Sequence, residues 1–319
     1  MKHLTTIRLG LVTLLLTLIM GCAPKSEPTA SIFRFEGFEP AVYYTSNSSL
    51  NDGWDGDVAI IAIHGWHGGI NVHKGHSALQ EHFKEAFVIS PMFPRAAVMA
   101  NKGVELDDRA VWNNSWDQAN LSKPGVPEDD WRGGGDANGT ELSSYEIVDN
   151  LLAKLSDKTL FPNLKKVALV GFSAGGQFVG RYVAVGKGEV APHIELRYAA
   201  LAPSTFLLPN PEDSWHYGLK NRPRYSRNLS EEQIMENLRS RHCLHGCGAL
   251  DTLEKDLDVT PLAMKQGCNR YVRFENFKNV VSKDPKWREV TTFYTFDSIG
   301  HHSMKAYADP FFAKYIMGE

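Results

Sequence analysis

The sequence predicts an α/β protein, a mostly parallel sheet with helices on both faces. Three observations carry this. Val58 to Ile63 (Val-Ala-Ile-Ile-Ala-Ile) and Val167 to Val170 are unbroken apolar runs, as strands buried on both faces require. Segments of strand pattern alternate with segments of helical spacing along most of the 319 residues. The second of those runs passes directly into Gly171-Phe172-Ser173-Ala174-Gly175, and helical spacing follows. A strand-to-helix turn that sharp needs small residues on either side of the serine and pushes its hydroxyl outward.

Composition bounds the rest. With 43% apolar residues the chain can bury a full core. A formal net charge of −3 gives no basic footprint for nucleic acid. Lys2 and Arg8 precede an apolar run, Leu9 to Met20, which ends at Ile19-Met20-Gly21-Cys22. A charged start, a short apolar stretch and a small residue before the cut read as a secretory signal over residues 1–21. Residues 22–31 then form a tether, and residues 32–319 a single domain. Cys243, Cys247 and Cys268 allow one disulfide in an oxidising compartment, Cys268 pairing with either of the others. The competing reading is a metal cluster with His242 and His245, at a spacing that is not a standard zinc pattern.

Taken in order, Ile32 to Phe35 and Ala41 to Tyr44 are expected as edge strands, and Val58 to Ile63 as the first core strand, ending in His64-Gly65-Trp66. A helix is expected from Ser77 to Phe87 and a strand from Val88 to Phe93. Residues 95–140, with Trp112, Trp116 and Trp131, carry little periodicity, and form either a packed loop or a wall of the active site. Ser143-Ser144-Tyr145-Glu146 is a capping box opening a helix whose apolar face is Ile147, Leu151, Leu152 and Leu155. After the serine helix come a strand from Ile194 to Leu201, a helix from about Ser230 and a strand from His242 to Gly248. The last of these is placed by its position in the alternation. Leu262 to Val280 reads as one helix, Glu289 to Phe296 as a strand, and Ser303 onward as one final helix.

Ligands bind such sheets beyond the carboxyl ends of the strands. Ser173, Asp251 and His301 each follow a predicted strand there. A serine hydroxyl needs an imidazole to take its proton, and that imidazole needs a carboxylate to orient it. Competing acids are Glu254, Asp256, Asp258 and Asp297, and the competing base is His302. His64 reads as a structural hydrogen-bonding residue at its strand end.

From Val58 onward the chain resembles the esterase/lipase-type α/β hydrolases, and within them a secreted lipoprotein group. The resemblance rests on Gly171 to Gln177 with Arg181-Tyr182, Gly248 to Thr252, Gln266-Gly267 with Arg270, and Gly300-His301, in the chain order Ser, Asp, His. It implies the α/β-hydrolase fold, with Ser173 as nucleophile, His301 as general base and Asp251 as orienting acid. The backbone N–H groups of Trp66 and Ala174 would form the oxyanion hole, although His64-Gly65-Trp66 departs from the triple-glycine form. The sequence around Cys22 is similar to a bacterial lipobox, which implies lipidation of Cys22 and attachment to a membrane by lipid rather than by a span. Trp131, Trp215 and Tyr217 are candidates to line a substrate pocket. The chemistry needs no metal or organic cofactor. A small-molecule or carbohydrate-linked ester is the expected substrate, with a peptidase or a non-catalytic binding lipoprotein as alternatives.

Overall fold

In a computed structural model of the chain, residues 29–34, 39–66, 73–94, 108–112 and 130–319 are described. The expected signal, Cys22, most of the tether, and Trp116 lie outside these residues. No helix among the described residues is long and apolar enough to cross a membrane.

Among the described residues the strands are β1 (Thr29–Phe33), β2 (Val42–Ser46), β3 (Val58–Ile63), β4 (Phe87–Pro91), β5 (Lys166–Phe172), β6 (Glu195–Leu201), β7 (Cys243–Gly248) and β8 (Thr291–Phe296). They form one sheet in the order β1-β2-β4-β3-β5-β6-β7-β8. β1 and β2 join antiparallel at one edge, and the pairings from β4 through β8 are all parallel. The α/β expectation is met. The strand order reverses between β3 and β5, so the crevice at the carboxyl ends opens there.

The helices are α1 (His73–His82), α2 (Ser144–Leu155), α3 (Ala174–Val185), α4 (Glu231–Ser240), α5 (Pro261–Gln266), α6 (Arg270–Val281), α7 (Pro285–Val290), α8 (Ser303–Tyr307) and α9 (Pro310–Met317). Alternation along β3 sorts the core into two layers. Ala59, Ile61 and Ile63 pack with α2, α3 and α6, while Val58, Ile60 and Ala62 pack with α1, α8 and α9. The capping box is present: Ser143 accepts from the Tyr145 amide, and Glu146 accepts from the Ser143 amide at 2.7 Å.

Three expectations about elements are corrected. Leu262 to Val280 is two helices, because the chain breaks at Gly267 and restarts with Asn269 capping the Val272 amide. The segment before β8 holds a short helix, α7, capped by Asp284 and carrying Pro285 in its first turn. The final helix is likewise split by Asp309-Pro310.

The cysteines are corrected as well. Cys243, Cys247 and Cys268 are all free, the first two buried in β7 and the third exposed. Among the described residues no group of three or more His, Cys, Asp or Glu side chains is arranged to hold a metal ion. His242 points away from the core, and His245 lies in an aromatic cage.

Candidate active site

The backbone of Ser173 is strained, with φ 60° and ψ −117°. For a residue with a side chain this is a sparsely populated conformation, tolerated where the surroundings over-determine it. Here they do. Ser173 N–H donates to the Leu201 carbonyl of β6 at 2.8 Å, and Gln177 N–H returns to the Ser173 carbonyl at 2.9 Å. Any Cβ at Gly171 would sit 2.2 Å from the Gly175 carbonyl oxygen, and one at Gly175 2.3 Å from that of Ile63. Both glycines are required by close approach of backbone, and the approach of Gly175 seats the turn against the end of β3.

Asp251 and His301 are brought to this turn by a second close approach. A Cβ at Gly248 would lie 2.1 Å from the Ile299 carbonyl oxygen, so only glycine lets the loop after β8 lie on the end of β7. Ala249 N–H then donates to Phe296 O and Leu250 N–H to Ile299 O, both at 3.0 Å. These bonds lock the two loops together.

The three side chains meet. His301 Nδ1 stands 2.6 Å from Asp251 Oδ2, and His301 Nε2 stands 3.0 Å from Ser173 Oγ. A carboxylate oxygen only accepts, so Nδ1–H donates to Asp251 and Nε2 presents its lone pair to the serine hydroxyl. The Asp251 side chain is fully buried, whereas that of His301 is 28% exposed and rests against the Phe172 ring. Such an arrangement can deprotonate the hydroxyl as it attacks an electrophilic carbon.

Ala174 opens α3, so its N–H is among the first-turn donors that have no acceptor within the helix. Trp66 lies just past the end of β3, with the Arg132 guanidinium 4.6 Å over its ring. His64 is structural: Nδ1 bonds the Gly65 carbonyl and Nε2 accepts the Phe93 N–H at 3.0 Å.

The competing residues fall elsewhere. Glu254, Asp256 and Asp297 are exposed, and Asp258 accepts from the Tyr217 hydroxyl at 2.7 Å. His302 is exposed and caps the Lys305 amide at the start of α8.

The three aromatics put forward to line a pocket are all buried. Trp131 is buried between His64 and Phe93. Trp215 is buried with its indole N–H on the Gly133 carbonyl at 3.0 Å. Tyr217 is buried and bonded to Asp258 and Thr260. Large aromatics in a long polar segment signalled packing that holds the segment down. The described part of residues 95–140 is of this kind, since Trp112 is also buried and bonds the Gly135 carbonyl.

Three buried arginines hold the surrounding loops. Arg132 pairs with Asp130 at 2.7 Å, and burial pulls its pKa down while Asp130 opposes. Arg181 of α3 donates to the His216 carbonyl and to Thr205 Oγ1, and burial brings its pKa down to about 10. Arg273 of α6 donates to the Ser204 and Asp258 carbonyls. Of these three, only Arg181 is marked in the sequence, by the Arg-Tyr pair that follows the elbow.

No family model matches the chain, and no curated protein matches it. Solved structures do resemble it. A poly(3-hydroxybutyrate) depolymerase, LpqC, from Bordetella parapertussis is similar at TM-score 0.62 with 18% identity, over 92% of this chain and 91% of that one. Poly(aspartic acid) hydrolase-1 from Sphingomonas sp. KT-1 is similar at TM-score 0.61 with 19% identity, over 88% and 97%. An S-formylglutathione hydrolase from Agrobacterium tumefaciens is similar at TM-score 0.50 with 13% identity, over 90% and 94%. With its strand order, its strained serine turn and these structural neighbours, the chain has the α/β-hydrolase fold.

Proposed function

We propose that this protein is a serine hydrolase that cleaves a carboxylic ester through an acyl-enzyme. The observation that carries the reading is the unbroken line of hydrogen bonds from Asp251 through His301 to the strained Ser173. Ser173 Oγ attacks the ester carbonyl carbon as His301 Nε2 takes its proton, and Asp251 stabilises the imidazolium. The oxyanion that forms is received by the N–H of Ala174 and that of Trp66. Collapse breaks the bond to the alkoxy group, which leaves with the proton from His301, and Ser173 carries the acyl group. Water then attacks the acyl-enzyme with the same imidazole as base, releasing the acid and restoring Ser173. Ester rather than amide is an argument by analogy with the fold's common chemistry.

The test is a panel of p-nitrophenyl esters of increasing acyl length set beside a peptide p-nitroanilide. The expected outcome is ester turnover that falls about 10⁴-fold or more in Ser173→Ala. Anilide turnover exceeding that of every ester would make the protein an amide hydrolase. Ester turnover untouched by Ser173→Ala would remove the serine mechanism.

A further inference from the structure

Asp251 Oδ2 is taken by His301, but Oδ1 accepts no hydrogen bond among the described residues. A buried carboxylate oxygen left so is costly unless a charge compensates it. The group beside it is Arg270, whose Nη1 lies 3.5 Å from Oδ1, with both side chains essentially without solvent contact. Arg270 comes from the first residue of α6, a place with no role in the triad chemistry described above.

We propose that Arg270 is a positioning residue for the reaction, holding the Asp251 carboxylate in place and balancing its charge so that Asp251 can in turn orient His301. The inference rests on the serine-hydrolase reading above.

Three features support it besides the ion pair. Arg270 Nη2 donates to the carbonyls of Lys255 and Asp256, at 3.1 and 2.5 Å, so the loop after Asp251 is wrapped around the guanidinium. Asp256 adopts φ 55° to turn its carbonyl there, a left-handed conformation uncommon for a residue with a side chain. The next residue of the same helical turn, Tyr271, donates its N–H to the Asp251 carbonyl at 3.3 Å. The start of α6, the positive end of that helix, therefore grips Asp251 by main chain and side chain together.

Among the described residues, the charged and titratable groups packed about Asp251 are His301 from the loop after β8, Arg270 from α6 and the Cys247 thiol of β7. Burial pushes that thiol up, keeping it neutral, and pulls the Arg270 guanidinium down while Asp251 opposes. Asp256 adds a further negative charge near Arg270. Removing the guanidinium leaves the carboxylate uncompensated. The imidazolium is then held more tightly, and the neutral imidazole that acts as base is reached only at higher pH.

The experiment follows the rate at which a fluorophosphonate labels Ser173 as a function of pH. It reports activation of the serine whatever the natural substrate is. The set is the wild type, Arg270→Lys, Arg270→Met, Asp251→Asn and the double variant Arg270→Met/Asp251→Asn. In Arg270→Met the maximal rate is expected to fall about tenfold or more, with the acid limb of the profile displaced to higher pH. Arg270→Lys should recover most of the rate and the original limb. In the Asp251→Asn background, Arg270→Met should cost less than threefold, because the two residues act as one unit. If Arg270→Met alone does not fold, the neutral double variant, which carries no unpaired buried charge, and Arg270→Lys still decide it. A limb unmoved in Arg270→Met, a failure of Arg270→Lys to recover the rate and the limb, or equal losses in both backgrounds, would overturn the proposal and leave the nucleophile standing. A wild type that takes no label at Ser173 would instead overturn the hydrolase reading on which it rests.

Discussion

At the scale of single residues, the structure separates two adjacent histidines by position. His301 lies between Asp251 and Ser173, whereas His302 is exposed and its ring caps α8. Replacing His301 by alanine removes the imidazole that, among the described residues, is hydrogen-bonded to the serine hydroxyl. Ester hydrolysis by His301→Ala is expected to fall about 10⁴-fold or more, while His302→Ala should stay within about twofold of the wild type, since a lost helix cap costs stability rather than rate. Steady-state kcat/KM on one p-nitrophenyl ester checks this, and the reverse order of the two variants would contradict it. That Ser173, Asp251 and His301 come together was legible because each follows a strand and each belongs to a residue type that triad chemistry demands. Arg270 was legible only as part of a pattern with Gln266 and Gly267. Nothing in its sequence neighbourhood indicated that its guanidinium would turn toward Asp251.

At the scale of elements, strand β7 is the instructive case. Cys-Leu-His-Gly-Cys-Gly has little strand propensity, and its position in the alternation identified it better than its composition. Gly246 and Gly248 are there for approach: Phe296 crowds the first and the Ile299 carbonyl the second. His245 is in the middle of the strand, among Phe206, Phe277 and Phe293, and burial pushes its pKa down to about 3. Unfolding returns it to about 6.5. Below that value the unfolded chain takes up a proton that the folded chain refuses. The stability tied to a neutral His245 is therefore complete above about pH 6.5 and is lost as the pH falls toward 3. The slope is about 1.4 kcal/mol per pH unit over most of that window. Urea unfolding of wild type and His245→Phe at pH 7 and pH 5 measures it. The variant should lose about 2 kcal/mol less than the wild type on acidification, and identical losses would show that His245 does not resist protonation. The helices that sequence periodicity ran together, α5 with α6 and α8 with α9, part where a capping side chain outcompetes the apolar repeat. Asn269 and Asp309 carry those caps, as Asp284 does for the short α7, which apolar spacing does not reveal. Asp-Pro at 284–285 and at 309–310 was the available sign, and hydrophobic spacing concealed it.

At the scale of the whole molecule, parallel register is what assembles the site. Ile63 pairs with Gly171, Phe172 with Leu201, Leu201 with Gly246, and Gly248 with Phe296, so the strands end along one rim. Groups 50 and 128 positions apart in sequence are thereby delivered to one point. The class of the fold could be read from alternation alone, because buried parallel strands carry an unmistakable apolar run. The three aromatics expected around a pocket could not be placed, because a tryptophan that lines a cleft and one that pins a loop look alike until their partners are known. Whether Ser173 is the nucleophile is decided by peptide mass mapping of the protein after reaction with a fluorophosphonate. A single phosphonyl group is expected on the peptide containing Ser173, absent in Ser173→Ala and formed far more slowly in His301→Ala. An adduct on another residue, or one that persists in Ser173→Ala, would contradict it.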